Sequence, residues 1–180
     1  MDAIAHRAAT AYTLFATPLG QCAIAWNARG ISAVQLPEVS LAASRARLGY
    51  RFPGALARTA PPHIRRAITA IVKLLNGRAS DLARLSLDYS GVSEFTRSVC
   101  EASRAIPAGA TRTYGELAAQ LGQPGAARAV GGVMARNRFP IIVPCHRVLA
   151  AGGRPGGFSA HGGLNTKMRM LRIEAAISAR

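Results

Sequence analysis

The stretch Ile141-Ile-Val-Pro-Cys-His-Arg-Val148 places a cysteine, a histidine and an arginine in succession behind a short apolar run. The apolar residues 141–143 predict a buried strand, and Pro144 would end it because proline cannot donate to a strand ladder. A thiol beside an imidazole and a guanidinium is in the electropositive setting that lowers a thiol pKa. The same residues also fit an inert buried cysteine with a chance histidine neighbour, so both interpretations of Cys145 stay open.

A base acting on Cys145 needs a particular local geometry and an acid to orient it. Neighbouring side chains of an extended chain point to opposite sides, so His146 reaches the thiol only through a sharp bend or a bridging water. The sole acid downstream is Glu174, on a helix predicted over residues 164–176. The inward face of this helix is predicted to consist of Leu164, Met168 and Leu171. Because Glu174 lies three residues after Leu171, it is expected along the buried edge. A solvated Glu174 paired with a surface arginine is the alternative.

The other two cysteines, Cys22 and Cys100, lie in amphipathic segments and fit inert, buried thiols. The three cysteines form no C-x-x-C pair and no Cys/His cluster with the spacing of metal ligands. We therefore expect no disulfide framework and no structural zinc.

Composition narrows the class of protein and of partner. The 180 residues include 23 Lys or Arg, 8 Asp or Glu and 49% hydrophobic residues, which is typical of a globular chain. No apolar stretch approaches the ~20 residues of a membrane span, and residues 1–10 lack the apolar core of a secretory signal, so we expect a cytoplasmic protein. The net charge of +15 favours a polyanionic partner such as nucleic acid, although a general arginine bias of composition would raise it too.

The chain divides into two regions at residues 90–92. The first, residues 1–92, predicts an α+β region with a hairpin, because a turn ending in Gly30 separates two apolar runs. Its predicted strands cover residues 12–16, 22–26, 31–36 and 85–89. A short helix and a loop are predicted within residues 39–60, and a longer helix begins at Pro61-Pro62 and ends at Asn76-Gly77.

The second region, residues 93–180, is predicted to be mainly helical. Ser93 caps a helix to about residue 105, and Thr113 with Glu116 forms a capping box for a helix over residues 114–121. After a Gly/Pro turn, a third helix covers residues 126–135, an order typical of a helix-turn-helix and also of a plain helical hairpin. The third helix is built from small residues around Arg128, which fits tight helix packing or a surface pressed against nucleic acid.

Taken together, these segments resemble the O6-alkylguanine-DNA alkyltransferases, also called methylated-DNA–protein-cysteine methyltransferases. The matching motifs stand in the family's order: Tyr114-Gly-Glu-Leu-Ala118, Ala127-Arg-Ala-Val-Gly-Gly132, Pro144-Cys-His-Arg-Val148 and Gly157-Phe-Ser159. The resemblance is strong over residues 95–174 and weak over residues 1–92. It implies an α+β fold in which a small, ribonuclease H-like α/β support domain with an antiparallel sheet precedes a helical, winged helix-turn-helix-like domain for DNA binding and catalysis.

The function that the resemblance implies is DNA repair. Such a protein enters the minor groove, flips the damaged nucleotide out and transfers the alkyl group of O6-alkylguanine irreversibly to Cys145, with O4-alkylthymine as a further candidate substrate. Double-stranded DNA is then the partner, the protein acts as a monomer without cofactor or metal, and each molecule repairs one lesion. A catalytically silent lesion binder, a Cys-His hydrolase and a helix-turn-helix regulator are the alternatives.

The resemblance also assigns a role to single residues in catalysis. Cys145 would be the nucleophile, His146 would take its proton through water, and Glu174 would orient His146. Asn137 would brace the thiol segment, and Tyr114 would protonate the leaving guanine.

Further residues would bind the DNA and the flipped base. Arg128 would fill the gap in the duplex, with Tyr114, Thr96 and Gln123 at the flipped nucleotide and the phosphates. The base pocket would be lined by Val148, Phe158, Ser159 and Met134. Three positions depart from the family: Phe158 replaces a frequent tyrosine, Arg138 replaces a frequent proline and could add a phosphate contact, and His161 lies in a Gly-rich loop, where we expect it to be exposed.

Overall fold

The computed structural model describes residues 10–178, so almost all of the N-terminal stretch used above against a secretory signal lies outside the described residues. Six strands and six helices follow one another in this part of the chain: β1 (Ala11–Thr17), β2 (Gly20–Asn27), β3 (Gly30–Gln35), α1 (Leu41–Arg51), β4 (Leu56–Ala57), α2 (Pro62–Leu75), α3 (Glu94–Arg104), β5 (Arg112–Thr113), α4 (Tyr114–Gln120), α5 (Ala127–Ala135), β6 (Val148–Leu149) and α6 (Gly163–Ser178). Among the helices described, none has the length and apolar character needed to cross a membrane. The α+β class is confirmed.

A mixed four-stranded sheet forms the first region, in the order β3-β2-β1-β4. Strands β1, β2 and β3 pair antiparallel, whereas β4 pairs with β1 in parallel. The predicted hairpin is confirmed, and Gly30 serves it in two ways: its φ is +139°, and a Cβ there would lie 2.7 Å from the Ser86 carbonyl. Helix α2 begins and ends as predicted and buries Ile64 and Ile71.

The strand predicted over residues 85–89 is wrong. Only one β-bridge, between Leu87 and Ile31, forms there. The ladder ends because the Asp88 carboxylate accepts the Ser90 amide at 3.0 Å and turns the chain away from β3. This segment still packs against the sheet through the Asp88 amide, which donates to the Ile31 carbonyl at 2.7 Å.

The helices of the second region begin where their capping residues predict. Ser93 caps α3 by accepting the Thr96 amide, and both hydrogen bonds of the Thr113–Glu116 capping box are present at α4. Helices α3, α4 and α5 pack on one another, and a short turn separates the last two.

The buried strand predicted over residues 141–143 is also wrong, because this segment is a buried turn. Ile141 has a φ of +76°, which a β-branched residue rarely adopts. The Asn137 side chain holds the turn from inside: its Nδ2 donates to the Val143 carbonyl at 2.8 Å and its Oδ1 accepts the Phe139 amide at 2.8 Å. The backbone groups that a strand would pair are thus taken by one amide side chain.

Helix α6 is present, but its predicted inward face is wrong by one position. Leu164 is 47% exposed, whereas Lys167, Met170 and Glu174 are buried. Burial of Lys167 is compensated because its Nζ donates to the Val148 carbonyl at 2.7 Å. Apolar periodicity missed this face because two of its three buried members are charged. Glu174 is nevertheless buried, as predicted.

The two regions share one continuous hydrophobic core. The Val34 amide donates to the Arg138 carbonyl at 2.9 Å across the junction. Three arginines of the second region also donate to backbone carbonyls of the first: Arg104 to Leu82, Ala83 and Leu85, Arg138 to Asp88, and Arg169 to Pro18. The domain boundary at residue 92 stays a prediction.

Candidate active site

The motif Cys145–Arg147 forms one turn of 3-10 helix directly after the buried turn held by Asn137. Sequence reasoning required a bend or a water at this point, and the bend is present. The Arg147 amide closes the turn by donating to the Pro144 carbonyl at 2.8 Å. His146 is fully buried, and Cys145 is 8% exposed.

Glu174 binds both residues that follow the cysteine. His146 Nε2 lies 2.8 Å from Glu174 Oε1, and the Arg147 guanidinium makes two hydrogen bonds of 2.8 Å to the same carboxylate. Burial opposes ionisation of Glu174, but these hydrogen bonds outweigh it and lower its pKa to about 2. The alternative of a solvated Glu174 is therefore wrong, since this side chain is the buried anion of the site.

His146 is held as a neutral base. Burial lowers the pKa of His146, although the hydrogen bond and charge of Glu174 oppose that shift. A neutral ring facing an ionised carboxylate carries its proton on Nε2. Its Nδ1 is buried and makes no hydrogen bond to the described residues. This nitrogen can therefore accept a proton.

The Cys145 thiol is protonated at rest, which corrects the expectation of a low pKa. Burial raises the pKa of Cys145, while a hydrogen bond from Asn137 and the charge of Lys167 oppose the rise. The expected electropositive neighbours do not supply the missing charge, because His146 is neutral and Arg147 is bound to Glu174. A nucleophilic Cys145 thus depends on a base.

Lys167 is a site residue that sequence reasoning missed. It lies seven residues before Glu174 on the same face of α6, and its Nζ contacts the chain just after the motif. A weak signal was available, because Lys167 is one of only two lysines in an arginine-rich chain.

A cavity of about 380 Å³ opens beside the thiol. Its lining brings together five sequence-predicted residues with three glycine or alanine positions: Tyr114, Met134, Cys145, Phe158, Ser159, Gly131, Ala135 and Gly157. Burial and the charge of Cys145 raise the pKa of Tyr114, so this phenol keeps its proton. Val148 lies outside the lining, fully buried, with its carbonyl bound to Lys167. The volume lies in the range of small-molecule pockets.

A second, smaller cavity of about 60 Å³ also reaches Cys145. One of its walls comes from the first region and includes Arg47 and Arg51 of α1. The sequence did not predict that the first region contributes to the site.

The proposed DNA-contacting residues lie on the surface of the helical region. Arg128 is exposed on α5, Gln123 is exposed in the preceding turn, and Thr96 is half-buried in the first turn of α3. A Cβ added at Gly131 would meet only the Tyr114 ring, at 4.0 Å, and one at Gly132 only the Arg136 guanidinium, so close approach of a neighbouring helix backbone does not require either glycine.

The structure also locates the other residues that the sequence analysis singled out. Arg138 is half-buried where the two regions meet and donates to the Asp88 carbonyl at 3.2 Å. His161 is exposed, as predicted. Burial raises the pKa of Cys22 to about 11 and that of Cys100 to about 12, in keeping with inert thiols. Residues 10–178 contain no group of three His, Cys, Asp or Glu side chains placed to hold a metal ion.

Proteins similar to this chain include methyltransferases that act on methylated DNA. The family model of the 6-O-methylguanine DNA methyltransferase DNA-binding domain matches residues 94–176. Methylated-DNA–protein-cysteine methyltransferases of Mycobacterium leprae and Methanothermobacter thermautotrophicus are 45% identical over 108 residues and 38% identical over 114 residues. These matches cover 60% and 63% of this chain and 63% and 62% of the relatives, so the chain spans about three fifths of their length.

Structural similarity extends over both regions. The crystal structure of Mycobacterium tuberculosis OGT in complex with DNA superposes with a TM-score of 0.75 at 31% sequence identity. The match covers 92% of this chain and 93% of that one. The similarity therefore includes the sheet region, where the sequence resemblance is weak.

Proposed function

Because this chain belongs to the 6-O-methylguanine DNA methyltransferase family, we propose that it repairs O6-alkylguanine in double-stranded DNA by transferring the alkyl group irreversibly to Cys145. It would thus be a single-turnover methylated-DNA–protein-cysteine methyltransferase. The observation that carries the proposal is the position of the thiol, which borders a cavity and is followed by a histidine fixed on a buried carboxylate.

The first proposed step is proton transfer. The Cys145 proton moves through a water to His146 Nδ1, and the imidazolium that forms is stabilised by Glu174 at 2.8 Å. Burial alone disfavours the thiolate, so this transfer supplies the nucleophile when it is needed. Asn137 keeps the preceding turn fixed and contributes a hydrogen bond to the sulfur.

The second proposed step is displacement at carbon. The Cys145 sulfur forms a bond to the alkyl carbon while the bond from that carbon to O6 breaks and its electron pair stays with guanine. Tyr114, which is protonated and lines the same cavity, gives a proton to the leaving base. The product is a thioether, which water does not hydrolyse, so each molecule acts once.

DNA binding is proposed to follow the helix-turn-helix. Arg128 enters the space left by the flipped nucleotide, and Thr96 and Gln123 contact phosphates. The base is held by Met134, Phe158 and Ser159, with the backbone near Val148 at its edge. We also propose that residues 1–92 form a ribonuclease H-like support domain and residues 93–180 a winged helix-turn-helix-like domain, acting as a monomer.

The decisive experiment counts label on the protein. With duplex DNA carrying labelled O6-methylguanine, we expect close to one equivalent of label per protein, none for Cys145→Ser, and an unchanged yield for the matched variant Cys100→Ser. Repeated turnover would indicate a hydrolase, and lesion binding without label would indicate a silent binder. Either result contradicts the proposal.

Arg128→Ala tests the DNA-binding part separately. Because unstacking a base costs a few kcal/mol, we expect repair of duplex DNA to slow by about 10-fold or more. Repair of free O6-methylguanine should not change, since the free base needs no flipping. Arg84→Ala, an exposed arginine of the first region, is the control. An equal loss on both substrates would contradict the assigned role.

A further inference from the structure

The smaller cavity beside Cys145 is formed jointly by the two regions. It shares Met134, Cys145, Phe158 and Ser159 with the larger cavity, so the thiol lies where the two spaces adjoin. Its opposite wall carries Arg47 and Arg51, which lie four residues apart and therefore on one face of α1. A guanidinium pair thus borders the space next to the reacting sulfur.

The charge of this wall is only partly compensated. Glu38, which also lines the cavity, forms an ion pair of 3.0 Å with Arg47. Arg51 makes no ion pair with a carboxylate of the described chain, and the face of Phe52 lies 5.4 Å from its guanidinium carbon. Burial and the charges of Arg47 and Arg138 lower the pKa of Arg51 to about 10, which leaves it protonated at neutral pH. One positive charge therefore remains available.

Resting on the proposed function, we propose that the smaller cavity receives the outer part of the alkyl group and that Arg51 makes the protein selective for alkyl groups bearing a carboxylate, such as O6-carboxymethyl. With guanine in the larger cavity and the reacting carbon at the sulfur, the smaller cavity offers an adjoining space for the further atoms of the substituent. A carboxylate there meets a planar guanidinium, the group that binds it best.

The size of the cavity supports a short substituent. A volume of about 60 Å³ corresponds to the space of about two water molecules. A carboxymethyl group fits such a space.

Transfer of a carboxymethyl group follows the same steps as transfer of a methyl group. The thiol proton goes to His146, the sulfur bonds to the methylene carbon, and the bond from that carbon to O6 breaks with its electron pair remaining on guanine, which is then protonated. The carboxylate is unchanged, and the protein product is S-carboxymethylcysteine at position 145.

The test compares three lesions in one duplex: O6-methylguanine, O6-carboxymethylguanine and the neutral, equally large O6-carbamoylmethylguanine. A hydrogen bond to a charged group contributes about 1.5–3 kcal/mol, so the unmodified protein should transfer carboxymethyl about 10-fold faster than carbamoylmethyl. Arg51→Gln should bring this ratio close to one. Arg45→Gln, an exposed arginine on the same helix, should leave the ratio and the methyl rate unchanged. Glu38→Gln should raise the ratio because it releases Arg47.

Each result bears on one of the two proposals. A ratio near one in the unmodified protein overturns the selectivity while methyl transfer upholds the proposed function. A merely structural Arg51 would slow all three lesions equally and leave the ratio intact, which also overturns the inference. Absence of label from all three lesions would reject the proposed function itself.

Discussion

Two buried carboxylates, Asp88 in the sheet region and Glu174 in the helical region, are built alike. Each is at most 4% exposed, and each binds an arginine by two hydrogen bonds. Asp88 also accepts hydrogen bonds from the Asn27 and Ser90 side chains. In both places hydrogen bonds to the anion outweigh burial and lower the pKa of the carboxylate.

The difference lies in the partners. Asn27 and Ser90 do not titrate, and the Arg29 side chain at Asp88 is 59% exposed. Glu174 instead holds a buried histidine whose second nitrogen makes no hydrogen bond to the described residues. A buried carboxylate whose partners do not titrate stabilises the fold. A buried carboxylate that binds a titratable histidine beside a thiol is a candidate for a catalytic role.

The largest expected effect is on stability. Glu174→Ala leaves Arg147 buried without its counter-ion, which should cost about 3–5 kcal/mol of unfolding free energy. Asp88→Ala should lower the unfolding free energy by less, about 1–3 kcal/mol, because water can hydrate the exposed Arg29. The other groups that lose a hydrogen-bond partner are neutral donors. Urea unfolding at pH 7 measures both, and the reverse order would break the comparison.

A smaller effect is expected on the rate of transfer. His146→Gln keeps a donor for Glu174 and leaves the Arg147 pair in place, but removes the proton acceptor. Loss of a general base should slow methyl transfer by about 100-fold or more, without weakening DNA binding. Ser90→Ala is the matched change at Asp88: it should cost about 1 kcal/mol of stability and leave the rate unaltered. A slower transfer in Ser90→Ala would contradict the assignment of a purely structural role to Asp88.

The smallest expected effect is on how the free energy of unfolding varies with pH. The histidine and the two carboxylates should contribute in different pH ranges. The folded pKa of His146 lies below its ordinary value of 6.5, so the unfolded chain binds more protons and stability falls as pH drops below 6.5. Glu174 and Asp88 also have lowered folded pKa values, and their contributions are lost only as pH falls below their ordinary values of 4.5 and 3.8. The slope from one group is at most about 1.4 kcal/mol per pH unit.

Urea midpoints between pH 3 and pH 8 would resolve these steps. His146→Gln should remove the step below pH 6.5 and keep the lower one, while Asp88→Asn should weaken only the lower one. Persistence of the upper step in His146→Gln would mean that another group titrates there.

Local signals carried most of the fold prediction. Helices α3 and α4 begin at Ser93 and Thr113 because a capping hydroxyl acts within three residues of itself. The hairpin of β2 and β3 was predicted from Gly30, because a turn is likewise determined by its own residues. Residues 141–143 defeated the prediction because a strand and a buried turn have the same apolar composition, and Asn137 decides between them from outside the segment.

Site residues could be predicted where they belong to a sequence motif or where, as for the acid downstream of Cys145, the sequence offers one candidate. Cys145, His146 and Glu174 were found in this way. Four further residues that the family resemblance assigned to the site line the same cavity as Cys145: Tyr114, Met134, Phe158 and Ser159. Lys167, the Arg147 ion pair and Arg51 were missed because their partners are distant in sequence and fixed only by packing.

The arginine contacts between the two regions have an evolutionary consequence. Arg104, Arg138 and Arg169 each donate to main-chain oxygens of the first region, and every amino acid supplies that atom. A substitution at a position that supplies only its carbonyl therefore leaves the hydrogen bond available, whereas Asp88 also serves through its carboxylate. The shape is shared across 92% of the chain with a protein of 31% sequence identity, although the family model matches only residues 94–176.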